Sequence, residues 1–143
     1  MVGQDDTGSS DSAPESYIKN YVNFKNFNHL GYRVDIKELY SISYLAVFPS
    51  YYREGGWPRG LTEPMSMGMP VITTDNKHCS GAVIDGYNGL IVPIKDSSAL
   101  AEGIEKIVND EDLAKEFGQR SREKALLDLN EELIMQDLVE AIL

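Results

Sequence analysis

The sequence predicts an α/β fold, a Rossmann-like parallel sheet with helices on both faces. Three observations point there. Residues 44–48 and 70–74 are short, continuous runs of apolar and β-branched side chains, the pattern of strands buried on both faces of a parallel sheet. Helix-periodic segments alternate with them rather than following in a block. At 143 residues, 42% hydrophobic and 25% charged, the chain has the size and composition of one domain that buries a core without disulfides or metal.

The elements follow in order. Asp5, Asp6, Asp11 and Glu15 have no basic companion and sit among Gly, Ser and Thr, so residues 1–16 read as an acidic flexible lead, with 4–13 solvated. From Pro14 the spacing of Tyr17, Ile18, Tyr21 and Val22 predicts a helix. Residues 27–30 predict a short strand ending at Gly31, and Asp35 opens a short helix through Ile36, Leu39 and Tyr40. The 44–48 strand ends at Pro49-Ser50; a loop over 51–60 leads into a helix ending near Gly68, and the 70–74 strand follows. Asp85-Gly86 and Asn88-Gly89 are turn signals before a third strand, 90–92, stopped by Pro93. Asp96-Ser97-Ser98 is an N-cap cluster ahead of Leu100, Ile104, Ile107 and Val108. Asn109-Asp110 interrupts, a further helix covers about 111–127, and an amphipathic one runs from Asn130 to the end.

Composition excludes several functions. Thirteen basic and 23 acidic residues give a net charge of −10 with no Lys/Arg cluster, so nucleic acid is not an expected partner. No apolar run is long enough to span a bilayer, and the first residues show no secretory leader. The single cysteine, Cys79, excludes an internal disulfide and suits a reducing, cytoplasmic setting; it reads as a partly buried loop residue. His29 and His78 are far apart without a ligand-spaced companion set, so no metal site is expected. Met65, Met67 and Met69 read as core packing.

Residues 50–63 carry the chemistry. This stretch leaves the carboxyl end of a strand and enters a helix, the edge where open α/β sheets bind ligands. Gly55 and Gly56 allow a sharp turn and close backbone approach. The helix start offers unpaired amides and a positive dipole end, flanked by Arg53 and Arg59, which together suit a phosphate or diphosphate. Glu54 and Glu63 would repel a phosphate, but a carboxylate accepts from hydroxyls, and sugars supply them. Pro64 belongs in a first turn, so Glu63 is expected near the helix start. A structural alternative stands beside this: the glycines as a plain turn, and Glu63 as a first-turn acid answering the dipole. Trp57, Tyr51 and Tyr52 suit either a sugar face or closure of the loop over the core.

From Leu30 to about Lys124 the chain resembles the donor-binding, C-terminal half of retaining glycosyltransferases of family 4, half of a GT-B architecture. The resemblance rests on Leu30-Gly31-Tyr32-Arg33-Val34-Asp35-Ile36, Ala46-Val47-Phe48-Pro49-Ser50, Arg53-Glu54-Gly55, Pro58-Arg59, the run from Glu63 through Met65-Ser66-Met67-Gly68 to Asp75, and Asp85-Gly86-Tyr87-Asn88-Gly89 through Pro93 with Lys95-Asp96. It implies that residues 17–143 are a partial nucleotide-sugar-binding Rossmann-like domain. It places Glu54, of the family's Glu-x7-Glu pair, beside the donor sugar and Glu63 on the ribose hydroxyls. It sets the backbone of Gly55, Gly56, Gly60, Leu61 and Thr62 against sugar and diphosphate, with Tyr32 and Arg33 near the base. Arg59 stabilises the leaving diphosphate, and Glu54 and Arg59 are the implied catalytic pair. The implied chemistry is transfer of a sugar from a nucleoside diphosphate sugar to a hydroxyl acceptor with retention, without metal or other cofactor, in bacterial polysaccharide biosynthesis.

The sequence departs from the family in three places. Eight residues separate Glu54 and Glu63, one more than the motif, around Gly56-Trp57. Ser80-Gly81 stands where an Arg-Glu pair is common. At the front, Met1-Val2-Gly3 resembles the tail of an inner strand, so the strand before it and the N-terminal acceptor domain are expected to be missing. The resemblance thus implies a truncated domain, inactive alone, whose partners are the nucleotide-sugar donor, the missing N-terminal domain or subunit, and, for the longer enzyme, peripheral contact with the inner face of the membrane. Three alternatives stay open: a non-catalytic half complementing a separate N-terminal subunit, an inactive truncated product, and an unrelated nucleotide-binding or receiver-like α/β domain.

Overall fold

A computed structural model describes residues 1–3, 15–52, 56–79 and 81–142. The expected solvated stretch, 4–13, lies outside the described residues. The chain divides into two compact units, Met1–Glu38 and Leu39–Leu143.

In the first unit, α1 spans Glu15–Lys19. The helix expected to continue through Val22 stops there, and i→i+3 bonds from Asn20 to Tyr17 and from Tyr21 to Ile18 turn the chain instead. Asn20 competes for backbone groups and ends helices readily. The rings of Tyr17, Phe24 and Phe27 lie 5.2, 6.1 and 6.0 Å from that of Tyr21 and form an aromatic cluster. The strand expected over 27–30 is not formed. That segment has only a fragment of pairing with the first residues: the Met1 amine donates to the Asn28 carbonyl at 2.7 Å, Leu30 to the Met1 carbonyl at 2.9 Å and Gly3 to the Gly31 carbonyl at 3.0 Å, and no strand forms there among the described residues. The short α2, Ile36–Ser41, follows where Asp35 predicts it.

The second unit is built as β1 (Ala46–Phe48), α3 (Arg59–Ser66), β2 (Val71–Thr74), β3 (Gly89–Val92), α4 (Ser97–Val108), α5 (Glu111–Asp128) and α6 (Glu131–Ile142). The strands form one parallel sheet in the order β1-β2-β3, with Val47 opposite Ile72 and Ile72 opposite Leu90. Val71 and Ile72, both fully buried, point to opposite faces as strand alternation requires. Val71 packs with Leu61 and Met65 of α3 and with Met69; Ile72 packs with Ile107 of α4 and Phe117 of α5. Helices therefore cover both faces, as the sequence predicts, and Met65 and Met69 are core.

Three expectations need correction. β1 is three residues long with Val47 exposed, so it is an edge strand of the described sheet rather than one buried on both faces. Cys79 is not partly but wholly buried, inside the α3-side core. Pro64 is the sixth residue of α3, not a first-turn residue, because the helix starts at Arg59 after Pro58. Its missing N–H forfeits a single helical bond, and the ring is fully buried among the core residues.

The later helices begin where their caps say. Asp96 accepts from the Ala99 amide and Asp110 from the Leu113 amide, both at 2.9 Å. α6 leaves Ile134, Met135 and Val139 exposed. Among the described residues, no helix is long and apolar enough to cross a membrane.

The β2–β3 pairing depends on a glycine. A Cβ on Gly89 would lie 2.1 Å from the Val71 carbonyl oxygen, a backbone atom that cannot step aside without breaking the ladder. Gly89→Ala is expected to cost about 3 kcal/mol. Gly56→Ala, where nothing lies within 4 Å, is expected to be nearly neutral. Urea unfolding of the two variants checks the contrast through the midpoint.

Candidate functional site

All three strands point the same way, so their carboxyl ends share one edge of the sheet, where the chain passes into residues 49–52, 75–79 and 93–96. Two hollows open there. One, of about 230 Å³, is lined by Pro49, Tyr51, Thr74, Val92, Lys95 and Asp96 among others. The other, of about 340 Å³, shares Tyr51 and adds Tyr52, Asn76, Lys77 and His78. Both lie beside the connection that leaves β1 and enters α3.

The start of that connection is held by side chains from β2 and the residues just after it. Thr73 donates its hydroxyl to the Phe48 carbonyl at 3.0 Å. Thr74 donates to the Ser50 carbonyl. Asn76 donates its carboxamide to the Tyr52 carbonyl at 2.6 Å and accepts from the His78 amide at 3.2 Å. Tyr51 and Tyr52 stack with ring centroids 4.5 Å apart, and Lys95 stands 4.8 Å over the Tyr51 ring. Lys95 has φ of 59°, the one positive value among the described non-glycine residues.

At the far end of the connection, Trp57 packs on Gly81: a Cβ there would lie 2.6 Å from the indole Nε1. Lys124 caps the indole from 5.2 Å. Pro58 then serves as N-cap of α3 without any side-chain hydrogen bond. Gly60 lets the Phe48 ring of β1 lie against the first turn, since a Cβ there would fall 2.5 Å from Cδ2.

The structure joins two of the expected site residues. Arg59 Nε donates to Glu63 Oε1 at 2.8 Å, and Nη2 lies 2.6 Å from the same oxygen. Arg59 is 89% exposed and Glu63 33%, so the guanidinium is the outer member. The cation sits at the amino end of a helix, the end its dipole disfavours, and the i,i+4 order is the less favourable one. Tyr40 borders the pair. Burial first, then the Glu63 charge, raises its hydroxyl above the usual tyrosine range, while Arg59 acts the other way.

Gly60, Leu61 and Thr62 form the first turn between these two residues, with Leu61 fully buried. The amides of Leu61 and Thr62 bond the Pro58 carbonyl at 2.9 and 3.1 Å. Gly56 lies just ahead of Trp57 with open space around it. Arg53, Glu54, Gly55 and Ser80 lie outside the described residues. Tyr32 and Arg33 belong to the first unit, where they line a hollow with Val34 and Asp35. Among the described residues no group of His, Cys, Asp and Glu could hold a metal ion.

Sequence reasoning missed Thr73, Thr74, Asn76 and Lys95 as organisers of this edge. The available signal was a pair of threonines at a strand end followed by Asp75-Asn76, side chains that bond nearby backbone.

Residues 1–124 match the family model described as glycosyl transferases group 1. The chain is 29% identical, over 83% of its length and 31% of the relative, to the N,N'-diacetylbacillosaminyl-diphospho-undecaprenol alpha-1,3-N-acetylgalactosaminyltransferase of Campylobacter jejuni. It is 35% identical, over 64% of its length and 24% of the relative, to the capsular polysaccharide biosynthesis glycosyltransferase CapM of Staphylococcus aureus. Among solved structures, sucrose-phosphate synthase from Thermosynechococcus elongatus superposes with a TM-score of 0.81 at 29% identity, over 99% of this chain and 37% of that one. A complex of S. aureus TarM with Fondaparinux, alpha-GlcNAc-glycerol and UDP superposes at 0.77 and 25% identity, over 87% of this chain and 25% of that one. The chain therefore spans about a quarter to a third of the curated relatives.

In the first unit, Arg33 forms a two-pronged pair with Asp35. The hydrogen bond from Arg33 is the main cause holding the Asp35 carboxyl below the usual aspartate range. The lowered pKa means the pair stabilises the fold above the ordinary aspartate pKa, and this contribution is lost as pH falls through the Asp35 value. Arg33→Ala is expected to return the Asp35 carboxyl to the ordinary aspartate range, read by NMR titration of its side-chain carbon.

Proposed function

This chain belongs to the glycosyl transferases group 1 family, and on that premise we propose that it binds the nucleoside diphosphate sugar donor of a polysaccharide-building enzyme. The observation that carries the reading is the start of α3. There a guanidinium stands at the helix end that disfavours cations, the cap offers no polar side chain, and a carboxylate lies within reach of the same turn. A diphosphate satisfies the first two features, and sugar or ribose hydroxyls satisfy the third. Without ligand, Arg59 and Glu63 neutralise each other. With ligand, Arg59 turns to the diphosphate and Glu63 accepts from hydroxyls.

Relatives support the class of product. The CapM relative is named for capsular polysaccharide, and the C. jejuni relative for transfer of an N-acetylgalactosaminyl group onto a diphospho-undecaprenol carrier. The TarM complex contains UDP, which makes UDP the first nucleotide to try.

In the proposed reaction the bond between the anomeric carbon and the diphosphate oxygen breaks, its electron pair leaving with the diphosphate. The acceptor oxygen bonds the same face of that carbon, giving retention, and its proton passes to the departing diphosphate. Arg59 and the first-turn amides stabilise the charge that develops on the leaving group, so this reading assigns no step to a metal ion. In this reading Glu54, Gly55 and Gly56 are the residues assigned to the sugar. The acceptor is held by an N-terminal domain or subunit, and the longer enzyme works in the cytoplasm against the inner face of the membrane.

Thermal unfolding of the 143-residue chain with UDP, GDP or ADP tests the donor site. A nucleotide at a hundredfold excess over its Kd is expected to add about 2.7 kcal/mol. Glu63→Ala is expected to remove most of that gain and leave the ligand-free melt nearly unchanged. Arg59→Ala is expected to weaken UDP about tenfold but uridine little. A melt that none of the three nucleotides moves refutes the reading.

A further inference from the structure

The connection between β1 and α3 is gripped at both ends by one short segment, residues 76–81. At the entry, Asn76 reaches the Tyr52 carbonyl at 2.6 Å and the Ser50 carbonyl at 3.4 Å, while its own oxygen accepts from the His78 amide. At the exit, Gly81 seats the Trp57 indole so closely that no side chain fits between them. The buried Cys79 between these two points lies in the α3-side core, and its amide bonds the Asn76 carbonyl at 2.8 Å. Entry and exit are thus held from residues five apart in the chain, Asn76 and Gly81.

We propose that Asn76 and Gly81 are positioning residues, a clamp that fixes both ends of the β1–α3 connection and so sets the donor site before ligand arrives. The inference rests on the donor-binding reading above and goes beyond it by naming residues that act through the backbone of Tyr52 and the indole of Trp57. Two features of the sequence acquire a reason. The extra residue between Glu54 and Glu63 falls beside Trp57, the residue that the clamp holds. Gly81 stands in a segment that departs from the family pattern, because the indole occupies the place of any side chain there. Ends held before binding spare the ligand the entropy of ordering Tyr52 and Trp57, so the clamp is expected to act on affinity.

Trp57 is the only tryptophan, which gives the clamp its own optical probe. Asn76→Ser keeps a short acceptor for the His78 amide but cannot reach the Tyr52 carbonyl. It is expected to raise the UDP Kd about tenfold by calorimetry and to double the quenching of Trp57 by acrylamide, while the urea midpoint stays close to that of the unsubstituted chain. Gly81→Ala is expected to increase the quenching further by unseating the indole. Unchanged quenching and unchanged Kd in Asn76→Ser overturn the proposal, and increased quenching with an unchanged Kd overturns the positioning role. If the unsubstituted chain binds none of the three nucleotides, the donor reading falls, and the clamp is judged on quenching alone: a rise in Asn76→Ser supports it and no rise overturns it. If Asn76→Ser shows no cooperative unfolding, Gly81→Ala is judged by the same two measurements.

Discussion

Backbone leaving a three-residue strand must find hydrogen-bond partners at once, and this constraint organises the whole carboxyl edge. β1 ends at Phe48, and its ladder with β2 ends at the Phe48–Thr73 pair. The carbonyls of Phe48, Ser50 and Tyr52 would otherwise turn to solvent beside a half-buried floor. Thr73, Thr74 and Asn76 take them in turn, so side chains extend the sheet by several residues past its last backbone bond. Tyr52 is therefore held in place although it lies beyond the end of β1.

The same economy governs close approaches. Gly89 lets β3 lie against the Val71 carbonyl, and Gly60 lets α3 begin on the Phe48 ring. Gly118 of α5 lies so close to the Gly68 carbonyl, 2.3 Å from where its Cβ would be, that α5 also packs backbone to backbone. α3 lies on the face of the sheet that carries Val71, α4 covers Ile72 from the other side, and α5 serves both, with Ala125 in the Val71 core and Ala114 and Phe117 in the Ile72 core. Arg122 of α5 closes the arrangement by donating to the Ser66 carbonyl at the end of α3, at 2.5 Å.

Most of this fold was legible where local chemistry is decisive. The buried strands β2 and β3, the caps Asp96 and Asp110, and the boundary at Asn109-Asp110 follow from apolar runs and short polar side chains acting on nearby backbone. The misreadings occur where tertiary contacts override a local rule. Pro64 looks like a helix opener, but its ring is worth more in the core than the bond it forfeits. Val47 reads as core by composition, yet β1 is an edge of the described sheet. Residues 27–30 carry strand-like composition, and beyond the local turn to Phe24 their segment bonds, among the described residues, only to Met1 and Gly3. At the site, Arg59 and Glu63 were legible because charge in a glycine-rich strand-to-helix connection is unusual. Asn76 was not, because nothing local says that its carboxamide reaches back across the sheet edge.

Electrostatics ties the site to the chain as a whole. A net charge of −10 opposes any anion at long range, so a nucleotide gains nothing from the general field. Attraction must be short-ranged, and the edge supplies it with few cations: Arg59 at the helix start, Lys95 over Tyr51, and Lys77 beside Asn76. Acidic residues interleave with them, Glu63 on Arg59, Asp96 next to Lys95 and Asp75 near Lys77. An ordinary phosphate would meet as many carboxylates as cations there. On the proposed donor-binding reading, a ligand that carries hydroxyls beside its phosphates offers donors to these carboxylates and acceptors to these cations, which a bare phosphate does not.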